Sequence, residues 1–221
     1  MYVVLTGDLK SSRKINDRAG LQEKLKSALK YVNKTFDDFI VAEFVIVGGD
    51  SFQGMISSPD LILSIYYALF ENIGHPFYLG IGIGSISTNL SENIAEIDGE
   101  AFHLSAEALE GAKREKKWIK LKSGLEDNDI FECLLNFMFE VMWSWTDRQK
   151  EIIIYYRKHG ENRDAVKYAS SKFGIVNRSV YKTLKRGKYP LLASAEAVLK
   201  KSLNQKWFKL KSEPKMVQIE K

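Results

Sequence analysis

Apolar and polar positions alternate between two rhythms along the chain. Residues 2–6, Tyr-Val-Val-Leu-Thr, form a short apolar run expected to be a central strand, and it ends in Gly7-Asp8. Asn16 or Asp17 can cap a helix whose apolar positions are Leu21, Leu25, Ala28, Val32 and Phe36. Two β-rich runs, 43–47 and 51–56, then flank Gly48-Gly49-Asp50, the pattern of a tight hairpin. A second helix is expected from Pro59-Asp60, with Ile62, Ile65, Tyr66, Leu69 and Ile73 on its buried face, ending at Gly74-His75-Pro76. Phe77 to Ser87 alternates apolar residues with glycine, as a strand does. A helix over about 99–113 and a last short strand, 118–121, follow. The order βαββαβ, then αβ, predicts an antiparallel-centred sheet with its helices on one face.

The later part of the chain reads as helical throughout. Residues 130–145 are apolar around nearly the whole circumference, which predicts a buried helix. Thr146-Asp147-Arg148-Gln149 fits a capping box that opens a helix ending near Gly160. Another runs from Asn162 to Phe173, and Gly174 is placed for a turn into a helix from Asn177. In that arrangement Ser170 is small where the helices cross, and Ile175 and Val180 point inward. Residues 190–206 make a further helix, and 209–221 a loose polar tail.

Charge sharpens the division. Residues 1–122 carry a net −2, residues 123–221 a net +7, and within 146–211 the net is +12. A basic C-terminal part suggests a polyanionic partner, although a solvated basic surface has the same composition. The second of the two paired helices exposes Arg178, Ser179, Lys182, Lys185 and Arg186, residues suited to phosphates and base edges in a major groove. A bundle that packs against protein partners remains the other reading. The single cysteine, Cys133, excludes an internal disulfide framework. No basic-then-apolar leader and no run long enough to span a bilayer are seen, so a cytoplasmic protein without membrane attachment is expected.

The acidic tips carry the candidate chemistry. Strand one beside the hairpin brings Asp8 near Asp50, and two adjacent carboxylates suit a hard divalent cation, Mg²⁺ or Mn²⁺. A plain surface hairpin whose Asp suits the turn accounts for the same residues. Lys10, Ser11, Ser12 and Arg13 follow Asp8 directly and, with the Gly49 backbone, could bind phosphate; a flexible polar loop is the alternative.

Four segments resemble known patterns. VVLTGDLKSS is similar to the first metal-binding segment of class III nucleotide cyclases. GGDSFQG resembles their second metal-binding hairpin and that of the GGDEF diguanylate cyclases. LGIGIGSIST and residues 98–113 are similar to a later cyclase strand and to the helix bearing the transition-state residues. The segment from Trp145 to Arg186 resembles region four of bacterial sigma factors, and the chain as a whole resembles the SatD family. The resemblance implies an α+β protein: a ferredoxin-like, palm or nucleotide-cyclase-like domain over 1–122 and an all-α domain over 123–221 with a helix-turn-helix at about 146–187. It implies nucleotide binding by the first, DNA binding by the second, and a possible homodimer. The transition-state positions of that helix hold His103 and Glu107, and Ser51 replaces the GGDEF glutamate. A glutamate cannot neutralise developing negative charge, so slow or undetectable cyclisation is expected.

Overall fold

The computed structural model describes residues 1–91, 93–125 and 127–212. In β1 (Tyr2–Leu9) successive side chains alternate between two faces. Four further strands, β2 (Ile40–Gly48), β3 (Ser51–Ile56), β4 (Phe77–Gly84) and β5 (Ile119–Lys122), complete a sheet of order β2-β3-β1-β4-β5. Pairing is antiparallel except between β4 and β5, which a crossover makes parallel. The β1–β3 register sets Asp8 opposite Ser51, one residue from the hairpin tip at Asp50.

Three helices cover this sheet. In α1 (Arg18–Thr35) the Asp17 carboxylate caps the first turn by accepting from Gly20 N at 2.8 Å. Its stripe of Leu21, Leu25, Ala28, Leu29 and Val32 is buried, at the spacing one helix face requires. It packs against α2 (Ile62–Ile73), which a 3-10 turn over Pro59–Leu61 introduces. Tyr66 of α2 meets Phe77, and Phe77 meets Phe52, so α2 lies on the face carrying Leu5.

The third helix, α3 (Glu100–Glu115), lies on the other face, where Ser105 Oγ is 2.8 Å from Thr6 Oγ1. Helices on one face only were expected; the structure has them on both. The cause is the glycine alternation in β4. A Cβ on Gly80 would stand 2.3 Å from Leu109 N, and one on Gly82 2.1 Å from Ala101 O, both backbone atoms of α3. Glycine at every second position strips one face of side chains and lets the helix backbone settle on the strand.

Each margin of the sheet has one residue whose outward backbone groups are taken by helix side chains. On β2, Phe44 N donates to Asn33 Oδ1 at 2.8 Å, and Asn33 Nδ2 donates to Phe44 O at 3.0 Å. On β5, Leu121 N donates to Glu132 Oε2 at 3.3 Å, and Asn128 Nδ2 donates to Leu121 O. Helix side chains thus take the hydrogen bonds that a neighbouring strand would otherwise offer.

The chain forms two compact units. One comprises Met1–Glu132 and the residues from Val198 onward; the other is Cys133–Ala197. The sequence had suggested a division at 122/123. Ties on either side of it keep α4 (Asn128–Trp143) starting in the first unit: Glu132 accepts from Lys117 Nζ at 3.0 Å as well as from β5. Likewise Lys200 of α8 (Tyr189–Ser212) donates to Ser64 Oγ at 3.1 Å, and Lys206 pairs with Asp127. The helix α4 differs from the expectation of full burial. Phe131, Leu135, Met138, Phe139 and Met142 are buried, but Ile130 and Phe137 are exposed, so only one side is covered. The tail expected to be loose is helical as far as Ser212; the rest of it lies outside the described residues.

In the second unit, α5 (Asp147–Lys158) opens with the capping box of Thr146 and Gln149. Asn162 Oδ1 accepts from Asp164 N and Ala165 N at the start of α6 (Arg163–Phe173). Gly174, at φ 63, ends α6, and Ser170 Oγ donates to Ile175 O across the turn. The next helix, α7 (Asn177–Arg186), buries Val180 and Leu184; Ile175 is half-buried. Among the described residues no helix is long and apolar enough to cross a membrane.

Candidate functional site

In the first unit the candidate residues lie about the place where β1 and the β2–β3 hairpin end together. Gly49 takes φ +60 at the tip, the left-handed conformation that favours glycine, and its carbonyl accepts from Gln22 Nε2 at 3.2 Å. Leu9 N donates to Asp50 O at 3.1 Å, tying the tip to the end of β1. Ser12, buried in the 3-10 turn after β1, donates its hydroxyl to Asp50 Oδ2. Beside them lies a cavity of about 210 Å³ lined by Leu9, Ser12, Arg18, Gln22, Gly49 and Asp50, among others.

The residues expected to bind phosphate therefore separate. Ser12 and Gly49 line this cavity. Ser11, at φ 55, and Arg13 are exposed on the turn. Lys10 goes elsewhere: its Nζ stands 4.6 Å from the Trp118 ring centroid and 5.3 Å from that of Tyr78. Its backbone is fixed by Lys10 N donating to Pro76 O at 2.8 Å and by His75 Nε2, 2.7 Å from Lys10 O. Arg18 and Gln22 were missed. The available signal was their place in the first turns of a helix that follows directly on the acidic strand end.

Asp8 is held on the α3 face. Its Oδ1 accepts from Ser51 Oγ at 2.5 Å, and its Oδ2 is 3.2 Å from Lys113 Nζ of α3. Burial opposes the Lys113 charge, but the Asp8 carboxylate and then Glu110 outweigh it, holding the ammonium above its ordinary range. Two carboxylates offer the hard oxygens that Mg²⁺ or Mn²⁺ takes, yet both oxygens of Asp8 are already engaged. Among the described residues no group of three or more His, Cys, Asp or Glu side chains is placed to hold a metal. As arranged, the donor set does not fit a resident cation.

Nearer the start of α3, His103 Nε2 is 3.6 Å from Asp98 Oδ1, and Glu107 pairs with Lys122. Glu115 accepts from Lys120 at 2.5 Å and Lys117 at 3.1 Å, and these bonds hold its carboxyl down at about 2.

In the second unit, Arg178, Lys182, Lys185 and Arg186 are exposed on α7 and Ser179 is half-buried. None of the four cations makes an ion pair among the described residues. Elsewhere in this unit basic residues do find acids, as Arg148 does in Glu151 and Lys167 in Asp164.

The family model described as "SatD family" matches residues 2–191. The chain belongs to the SatD family. Among solved structures, that of the guanylyl cyclase Cya2 is similar over 50% of this chain and 69% of that chain, at 16% identity and a TM-score of 0.32. A superposition that loose carries no weight for fold or chemistry. No curated protein matches.

Proposed function

We propose that the chain is a DNA-binding regulatory protein whose α/β unit binds a nucleotide. The observation that carries this reading is the exposed face of α7, where Arg178, Lys182, Lys185 and Arg186 stand without acidic partners among the described residues. Cations so spaced neutralise phosphates, and an arginine among them can reach a guanine edge. The helix α6, the turn at Gly174 and α7 follow one another as a helix-turn-helix does, with α7 as the helix for the major groove. The test is fluorescence anisotropy on duplex DNA at several salt concentrations. Binding that weakens steeply with salt and is lost in Arg178→Ala/Lys182→Ala supports the reading; equal binding by that variant, or indifference to salt, refutes it.

The nucleotide part draws its support from the sheet. The order β2-β3-β1-β4, antiparallel throughout, is that of a ferredoxin-like, cyclase-like palm domain. The cavity beside Asp50 is lined by Arg18 and by the backbone turn at Gly49, a guanidinium and a turn of the kind that suit phosphate oxygens.

A second reading, a divalent-metal-dependent nucleotidyl transferase or cyclase with an accessory helical part, is favoured by the same cavity. Glu107, paired with Lys122, and His103, beside Asp98, leave the transition-state positions without a free guanidinium. Chromatography of ATP or GTP incubated with Mn²⁺ and the protein is expected to show no cyclic nucleotide. Turnover would favour this reading over the first.

A further inference from the structure

The helix α7 breaks a local rule that its neighbours keep. Thr146 caps α5 and Asn162 caps α6 through side-chain oxygens, but the N-cap of α7 is Val176, which has no such atom. Asparagine is a preferred cap and a poor choice inside a helix, where it competes for backbone bonds. Yet Asn177 stands just inside α7, exposed, and its amide makes no hydrogen bond among the described residues. A local rule broken without a packing gain marks a position held for another purpose. One turn farther on, Tyr181 is 52% exposed and stacks on no other ring among the described residues. Asn177 and Tyr181 thus form an uncharged column along α7, and Arg178, Lys182 and Lys185 form a cationic column beside it. Val180 and Leu184 turn the other side inward, and the Thr183 hydroxyl donates to Ser179 O at 2.9 Å, within the helix.

Cations neutralise the phosphates of any sequence, whereas selectivity needs groups that fit base edges. A carboxamide carries a donor and an acceptor, the match for N7 and N6–H of adenine in the major groove. An apolar ring suits the C5-methyl of thymine. One helical turn advances about 5.4 Å and one base step about 3.4 Å, so the two side chains fall on the same or adjacent base pairs. We infer that Asn177 and Tyr181 are sequence-reading residues of α7, the first engaging an adenine edge and the second a thymine methyl, so that the protein selects duplexes with A·T pairs at that point. The inference rests on the reading of α7 as the helix for the major groove.

The experiment uses the full chain and a pool of duplexes with a randomised central stretch, from which the parent protein selects its own probe. In the tightest duplex each thymine is replaced in turn by deoxyuridine, which lacks only the methyl group, and each adenine by 7-deazaadenine, which lacks N7. One deoxyuridine is expected to weaken the parent about fourfold, the value of one buried carbon group. One 7-deazaadenine is expected to weaken it about fivefold or more. Tyr181→Ala is expected to bind the thymine and deoxyuridine duplexes alike, and Asn177→Ala the adenine and 7-deazaadenine duplexes alike. Both variants should keep the parent's salt slope, since no phosphate-neutralising charge has left. Tyr181→Phe keeps the ring and is expected to match the parent; a loss there would assign the hydroxyl to a phosphate and overturn the inference. It is overturned equally if no single thymine methyl matters to the parent, or if Tyr181→Ala or Asn177→Ala discriminates as the parent does. Salt-dependent binding without such discrimination overturns this inference alone. Absence of salt-dependent binding to any duplex overturns the DNA-binding reading beneath it.

Discussion

Arg157 and Glu196 form a two-pronged pair, Nη1 to Oε2 and Nη2 to Oε1, both at 2.7 Å. Glu196 is buried, and Arg157 also reaches the Tyr189 hydroxyl at 3.3 Å, so the pair fastens α5 to the start of α8. Glutamine at 196 turns one of the two acceptors into a donor facing the guanidinium and removes the charge that balances it in a poorly hydrated place. Glu196→Gln is expected to cost about 2–4 kcal/mol. Urea unfolding followed by far-UV circular dichroism measures it, and an unchanged midpoint would contradict this account of the pair.

Gly82 gives a test of how α3 is seated. A methyl group there meets the Ala101 carbonyl oxygen at 2.1 Å and Ser105 N at 2.4 Å, and neither backbone atom can swing aside. Gly82→Ala is therefore expected to lose at least about 3 kcal/mol, the upper part of the range for overpacked cores. Gly124, with open space around its Cβ position, is the control. Thermal melts of the two alanine variants make the comparison.

These cases also mark what the sequence could convey. Caps and turns were legible because their signals are local: Thr146 with Gln149, Asn162 before α6, Gly174 after it. The hairpin, and the pairing that sets Asp8 opposite Ser51 beside its tip, followed from one pairing rule. The glycines of β4 were visible but ambiguous, since missing side chains do not say which helix fills the space. Lys113 beside Asp8, and Lys10 over Trp118 and Tyr78, were illegible because spacing along the chain carries no information about which side chains meet across a sheet.

Acid tests the ionic chain at the end of α3. The bonds from Lys120 and Lys117 hold the Glu115 carboxyl at about 2, below its ordinary value of 4.5. A depressed folded-state value contributes stability above the unfolded value, and that contribution fades as pH falls from 4.5 towards about 2. The difference in melting temperature between parent and Glu115→Gln should be constant near neutrality and should vanish across that window. A difference independent of pH would show that Glu115 acts through packing instead.

The basic helix gives a numerical expectation. Removing one phosphate-neutralising cation should flatten the log–log dependence of DNA affinity on salt by about 0.9. Arg178→Ala and Lys182→Ala are each expected to do so. Arg178→Ala should also relax preference at one base pair by about 1–3 kcal/mol if it reads a guanine. On α8, Lys201 is exposed, whereas Lys200 bonds to Ser64; Lys201→Ala is expected to weaken binding less and uniformly. Anisotropy titrations with several duplexes measure all three variants.

The side chains that occupy the sheet margins matter beyond this fold. Asn33 satisfies Phe44, and Glu132 with Asn128 satisfies Leu121, so each outer strand has a residue with no backbone hydrogen bond left to offer. A hydrogen-bonded ladder propagates from molecule to molecule only where successive rungs are open, and here it meets a terminator at either end. A strand of a second copy laid along either margin would find no backbone partner at Phe44 or at Leu121.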